Sequence, residues 1–329
     1  MPRNRMTAQD TTPTTGKILL IGAFGQIGSE LADALAERYG NDRVVLADLH
    51  PQAHRLQVEQ CNVVDKERLE EIIRTHDVKV IYHLAALLSA TGEQNPALAW
   101  QVNMQGLLNV LELSLAYNVE RVFWPSSIAV FGPHSPQERT PQFCTMDPST
   151  IYGITKQAGE RLCAWYFEQH GLDIRSLRYP GLISYKTPPG GGTTDYAVEV
   201  FYDALAGKAF SCFLKPDTAL PMMYMPDAIR GTMELMAAPA EQISIRDSYN
   251  IGALSFTPAE LFAEIAQALE GFSYGYQPDF RQQIAESWPR SIDDSTARRD
   301  WGWQPEYDLA AMTQDMLRNV QVPAAGSVQ

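Results

Sequence analysis

The chain has 329 residues, enough for one large domain or two moderate ones. Hydrophobic residues make up 45% and charged residues 20%, and a net charge of −13 gives no basic face to nucleic acid or to an anionic membrane. No stretch approaches the roughly 20 apolar residues that span a bilayer. The four cysteines (Cys61, Cys144, Cys163, Cys212) stand far apart with no metal-ligand spacing, which predicts reduced thiols, no metal and a cytoplasmic protein.

Residues 1–16, rich in Thr and Pro and lacking a signal-peptide run, read as a flexible tail, as do 321–329. Lys17–Ile21 is an apolar strand that ends in Gly22-Ala23-Phe24-Gly25-Gln26-Ile27-Gly28 and leads into a helix to about Tyr39. Strands follow at Arg43–Ala47 (closed by Asp48) and Leu56–Cys61, a helix at Lys66–Thr75 and a strand at Lys79–Leu84. A long helix is expected over Ala97–Tyr117, a strand at Arg121–Pro125, a helix from Tyr152 to about His170 and a strand at Asp173–Tyr179. This alternation predicts an α/β fold, a Rossmann-type doubly wound parallel sheet.

After Pro180 the pattern loosens. Residues 185–195 are too rich in Pro, Gly and Thr for regular structure. Beyond them we expect helices at Tyr196–Ala206, Asp227–Ala237, Pro258–Leu269 and Leu309–Val320, with strands at Met222–Met225 and Ser248–Ile251. The division is a nucleotide-binding domain over 17–180 and a smaller C-terminal α/β substrate lobe over 181–320, its boundary soft because strands can rejoin the main sheet. Met222, Met223 and Met225 read as core packing.

Two motifs carry chemistry. The glycines follow a strand and open a helix: Gly22 for the tight turn, Gly25 for approach of a pyrophosphate, Gly28 for close helix–strand packing. Asp48 ends the second strand, 20 residues after Gly28, where a carboxylate bonds both ribose hydroxyls and repels a 2′-phosphate. The expected cofactor is NAD. The second motif is Tyr152-Gly153-Ile154-Thr155-Lys156, which sets an ammonium beside a phenol on one helix face. A cation that close lowers the phenol pKa by about 1–3 units and makes it a base. Ser126 and Ser127 lie 26 and 25 residues upstream of Tyr152, either able to donate to a reacting oxygen.

The Gly-x-x-Gly-x-x-Gly spacing, the Tyr/Lys pair, Ser126-Ser127, His83-Leu84-Ala85-Ala86, Asn103 and Leu177-Arg178-Tyr179-Pro180 together resemble the extended short-chain dehydrogenase/reductase superfamily, which includes the UDP-galactose 4-epimerases. Tyr179–Ser184, Pro189–Ala197, Pro221–Ala228 and Ser287–Asp294 are similar to the short-chain L-threonine 3-dehydrogenase family. An asparagine that contacts the sugar nucleotide in epimerases is replaced here by Gly181. A nucleotide-sugar epimerase or dehydratase is the alternative.

That resemblance implies oxidation of L-threonine at C3 to 2-amino-3-ketobutyrate, with Tyr152 as general base, Lys156 and Ser127 (or Ser126) as its partners, and a homodimer built through a four-helix interface. The cofactor contacts it implies are Gly22, Gly25, Gln26, Ile27, Gly28, Asp48 and Leu49. Val63, Leu84, Ala85, Ala86, Asn103, Tyr152, Lys156 and Tyr179 complete that set. The substrate contacts are Ser89, Ser126, Tyr152, Thr193 and Trp288. His83 reads as a hydrogen-bonded strand-end residue, Asp195 as a helix cap and Pro188–Asp195 as a lid; no residue is singled out for the substrate ammonium.

Overall fold

Near-continuous apolar runs make strands buried on both faces, and in the main sheet they pair in parallel. The computed structural model describes residues 16–186 and 192–322. In chain order the strands are β1 (Lys17–Ile21), β2 (Val44–Asp48), β3 (Gln57–Gln60), β4 (Val78–His83), β5 (Arg121–Phe123), β6 (Ser126–Ser127), β7 (Asp173–Arg175), β8 (Leu177–Tyr179) and β9 (Gly181–Ile183). The main sheet runs β3-β2-β1-β4-β5-β7, all parallel. Its helices are α1 (Gln26–Tyr39), α2 (Lys66–Thr75), α3 (Ser89–Gln94), α4 (Pro96–Trp100), α5 (Gly106–Ala116) and α6 (Ile151–His170). This is the doubly wound α/β fold that the sequence predicts.

Alternate residues of β1 face opposite cores. Ile18 and Leu20 pack toward α1, while Leu19 and Ile21 join Leu69, Ile72, Leu107 and Val110 of α2 and α5. Helix α6 starts where Thr150 accepts a bond from the Gly153 amide at 3.0 Å, and it stops at Gly171, whose φ of 71° closes the turn.

The helix predicted over Ala97–Tyr117 is not uniform. A π-helical turn at Gln101–Gln105 separates α4 from α5, and α3 precedes them as a separate short helix. The strand predicted over Asp173–Tyr179 is also broken. After β7, the Ser176 hydroxyl bonds that of Ser248 at 2.8 Å, and the Ser176 carbonyl accepts the Tyr249 amide at 2.9 Å. β8 then pairs with β6 on one side and with β12 (Tyr249–Asn250) on the other.

The chain after Pro180 therefore serves both halves. α7 (Tyr196–Leu205), β10 (Phe210–Cys212), β11 (Leu220–Tyr224), α9 (Pro258–Ala268), α10 (Arg281–Glu286) and α12 (Leu309–Asn319) build a separate core. β10 pairs with β14 (Tyr274–Tyr276), and β11 pairs with β9 and β13 (Leu254–Phe256). But α8 (Met225–Ala237) packs against α1, and its Ile229 and Met233 share a core with Ile18 and Leu20, as does Trp303 beyond α11 (Ser295–Trp301). Met222, Met223 and Met225 are fully buried. No helix among the described residues is long and apolar enough to cross a membrane.

Asp227 secures this return. Its buried carboxylate accepts the Glu306 amide at 3.0 Å and the Tyr307 amide at 3.1 Å, and pairs with Arg230 at 2.7 Å. Asp227→Ala removes the acceptor of both amides and one partner of Arg230, which keeps Glu234 at 2.9 Å, and we expect a loss of about 1.5–3 kcal/mol of stability, read as a lower urea midpoint with an unchanged slope.

Candidate active site

Gly22 follows β1 with φ +80°, and a Cβ there would stand 2.7 Å from the Ala85 amide nitrogen. At Gly28 a Cβ would fall 2.3 Å from the Gly22 carbonyl oxygen, so the helix sits against the turn. At Gly25 the nearest atom would be 3.5 Å away, leaving the face of the turn open. No side chain caps α1, so the first-turn amides of Gln26, Ile27 and Gly28 present free donors and a positive dipole end. An open cradle with that polarity fits a dinucleotide pyrophosphate. Asp48 ends β2 beside it, its Oδ2 accepting the Phe24 amide and Oδ1 the His50 amide, each at 3.1 Å.

A cavity of about 320 Å³ opens at the carboxyl ends of the strands. It brings together Gln26, Ile27, Leu84, Ala86, Ser89, Ser126, Ser127, Tyr152, Lys156, Tyr179, Thr193 and Trp288. Gly22, Gly25, Gly28, Asp48, Leu49, Val63, Ala85 and Asn103 do not line it. Ala85 packs against Gly22, Leu49 is half-exposed at the end of β2, and Val63 is buried, its carbonyl accepting from Asn109 at 3.0 Å. Asn103, on the π-helical turn, bonds both the amide and carbonyl of Leu87 (2.8 and 3.1 Å) and the Thr155 hydroxyl at 3.1 Å. It fixes the loop above the cofactor cradle to the helix turn that carries Lys156. The Tyr179 hydroxyl bonds that of Thr232 of α8.

Tyr152 and Lys156 meet on α6 as their spacing requires, but the electrostatics differ from expectation. Burial pushes the Tyr152 phenol up to about 12, and the hydrogen bond from Ser127 only partly opposes it. Burial also pulls Lys156 down to about 7, against the raising effects of Cys163 and Glu160. The ammonium donates to the Pro125 carbonyl at 2.6 Å and lies over the rings of Trp124 (4.6 Å to the centroid) and Tyr152 (5.6 Å). Desolvation outweighs the cation here: Lys156 is buried, and Tyr152 is partly buried at the cavity wall.

The two serines separate cleanly. Ser127 faces the Tyr152 phenol, whereas the Ser126 hydroxyl is committed to Glu160 at 2.6 Å. His83 is buried, and neither ring nitrogen has a partner among the described residues, in contrast to the hydrogen-bonded strand end expected for it. Burial and then the Lys156 charge pull its pKa down to about 3, so the ring is neutral. Thr193 and Ser89 are buried at the cavity wall, and Trp288 joins that wall to the C-terminal core. Asp195 precedes α7 but does not cap it with its side chain; instead it accepts the Gly192 amide at 2.7 Å. Of the lid segment, Pro188–Gly191 lie outside the described residues.

Sequence reasoning passed over Glu160 and gave Arg178 no role, yet the two form the most deeply buried ion pair among the described residues. An acid four residues beyond the lysine, in a helix of otherwise apolar inner face, was the available signal.

A glycine turn on a Rossmann sheet, with Ser127, Tyr152 and Lys156 converging on one cavity, defines a dinucleotide-dependent enzyme of the extended short-chain type. The model of the NAD dependent epimerase/dehydratase family matches residues 18–252, and the chain belongs to that family. It is 57% identical to a GalE-like L-threonine dehydrogenase from Cupriavidus necator, covering 93% of this chain and 100% of that one with a TM-score of 0.91. It is 45% identical over 306 residues to the mitochondrial L-threonine 3-dehydrogenase of Sus scrofa, covering 92% of this chain and 82% of the pig protein. A monomeric L-threonine 3-dehydrogenase from a metagenome is 50% identical, with a TM-score of 0.90 over 92% of this chain and 98% of that one. The resemblance drawn from the sequence motifs is to this same group.

The glycines separate fold from ligand. Gly28→Ala should lower the Tm, because its Cβ meets backbone that cannot move aside. Gly25→Ala should leave the Tm unchanged and raise the Kd for NAD about tenfold or more by blocking the pyrophosphate approach. Calorimetry and cofactor titration on both variants check this.

Proposed function

We propose that the protein is an NAD-dependent L-threonine 3-dehydrogenase, oxidising L-threonine at C3 to 2-amino-3-ketobutyrate. The convergence of Ser127, Tyr152 and Lys156 on one cavity walled by Thr193 and Trp288 carries the reading. The identity to proteins of that name supports it. NAD, when bound, supplies the hydride acceptor, and the turn at Gly22–Gly28 with Asp48 would hold it. The carboxylate of Asp48 favours NAD over NADP by bonding ribose hydroxyls and repelling a 2′-phosphate.

Tyr152 takes the proton of the threonine hydroxyl, and Ser127 holds the same oxygen in line. Lys156 stabilises the phenolate when it is charged, and Asn103 keeps its helix turn in register with the cofactor loop. Ser89 and Thr193 offer hydroxyls to the substrate carboxylate, and Trp288 packs against its methyl group. With the phenol raised to about 12, the basic form is scarce at neutral pH. Activity therefore climbs with alkalinity.

The direct test is NADH absorbance on adding L-threonine. We expect turnover that rises as pH increases from neutral, weaker activity with L-serine by about 1–3 kcal/mol of lost methyl packing, and no conversion of UDP-galactose. Tyr152→Phe should cut turnover by about 10²–10⁴ with NAD binding intact. Epimerisation of UDP-galactose, or parent-like turnover in Tyr152→Phe, would overturn the assignment.

We also propose that the enzyme works as a cytoplasmic homodimer. Leu98 and Trp100 of α4 and Ile154 and Trp165 of α6 are half-exposed apolar side chains on two helices that pack together, which supports a four-helix contact with a second copy. The monomeric relative shows that this fold does not require one. Light scattering at micromolar concentration should give twice the chain mass, falling to a single chain in Trp100→Glu/Trp165→Glu.

A further inference from the structure

Glu160 of α6 and Arg178 of β8 form an ion pair whose side chains are 0% and 2% exposed. The guanidinium grips the carboxylate at two points, Nε to Oε1 at 2.9 Å and Nη2 to Oε2 at 2.8 Å. Its Nη1 donates to the Gln142 carbonyl at 2.9 Å and to Asn250 Oδ1 at 3.0 Å. The Ser126 hydroxyl donates to Glu160 Oε1 at 2.6 Å. One buried pair thus ties together α6, β6, β8, β12 and the loop at Gln142.

Stability alone gives no reason for such a pair, since apolar side chains of equal volume commonly hold a core as well or better. Two features direct it toward the reacting groups. Glu160 lies four residues beyond Lys156, so carboxylate and ammonium share one face of α6. And Ser126, pinned by Glu160, is the chain neighbour of Ser127, which meets the Tyr152 phenol. The titratable groups around Lys156 are Tyr152, Glu160 and Cys163 from its own helix and His83 from β4. The segment between β5 and β6 contributes only the Trp124 ring and the Pro125 carbonyl. Burial keeps Cys163 a thiol, Tyr152 a phenol and His83 uncharged. Glu160 is the anion of this group.

We propose that Glu160, held by Arg178, is a positioning residue for the reaction: its carboxylate, on the same helix face, favours the charged form of Lys156 against burial, and its bond to Ser126 sets β6 so that Ser127 faces Tyr152. This rests on the dehydrogenase reading above. It assigns Ser126 to the scaffold and Ser127 to the substrate oxygen.

The test follows the titration of Lys156 by NMR of isotope-labelled lysine, the signal assigned with Lys156→Met, alongside kcat and KM for L-threonine. In Glu160→Gln the Lys156 midpoint should fall by about one pH unit, and kcat about tenfold or more. KM and NAD affinity should stay within about twofold. Because Glu160→Gln leaves Arg178 buried and unpaired, Glu160→Gln/Arg178→Met provides a second variant without a stranded charge. There we expect a folded protein whose Lys156 midpoint and kcat still lie below the parent's. A midpoint equal to the parent's in the double variant, or a parent-like kcat in either variant, overturns the proposal. A parent enzyme that makes no NADH from L-threonine overturns the dehydrogenase reading instead, while the Lys156 titration still decides whether Glu160 sets its charge.

Discussion

Charge taken out of water constrains this structure more than any other feature. Lys156, Glu160 and Arg178 are all buried, and each would be costly if left without partners. Their satisfaction needs α6 in one position only. Lys156 must reach the Pro125 carbonyl, Glu160 must reach both Ser126 and Arg178, and Arg178 must reach Asn250 and the Gln142 carbonyl. A helix held by apolar contacts alone could slide or rotate by a fraction of a turn. One locked by directed bonds at two successive turns cannot, and Tyr152 takes its place from that register.

The cofactor half of the site obeys a steric constraint of the same severity. Gly22 and Gly28 let β1, α1 and the loop after β4 approach more closely than any side chain would allow. Asn103 adds a polar clamp, holding Leu87 on one side and Thr155 on the other. The glycine turn and α6 are thereby joined through the protein itself, by backbone contact and a single amide.

Much of this was legible in the sequence, for identifiable reasons. The strands and helices up to His170 follow from apolar period and turn residues, which act locally. The glycine turn and the Tyr/Lys pair are local spacings, so they could be read directly. What escaped depends on contacts between distant segments. The break at Ser176 is made by Ser248, and the Ser126 hydroxyl is taken up by Glu160, 34 residues away. The π-helical turn at Gln101–Gln105 leaves no mark in an apolar period. His83 was misjudged because strand-end polarity was assumed, while its ring is buried without a partner among the described residues. The Tyr152 phenol was expected to be lowered by its lysine, but spacing gives proximity and says nothing about desolvation, which dominates here.

The return of α8 to the face of α1 has a consequence for how the chain is made. Ile18, Leu20 and Leu46 leave the ribosome early, yet part of their cover comes from Ile229, Met233 and Trp303. Until that stretch is synthesised, one face of the first sheet is clothed by α1 alone. Domains ordinarily complete themselves in order of synthesis, and a chain whose early sheet waits for late residues exposes apolar surface for longer. Contacts so distant in sequence also slow the search for the native pairing. The nascent chain therefore keeps part of that sheet face apolar and uncovered until the stretch from Ile229 to Trp303 has been made.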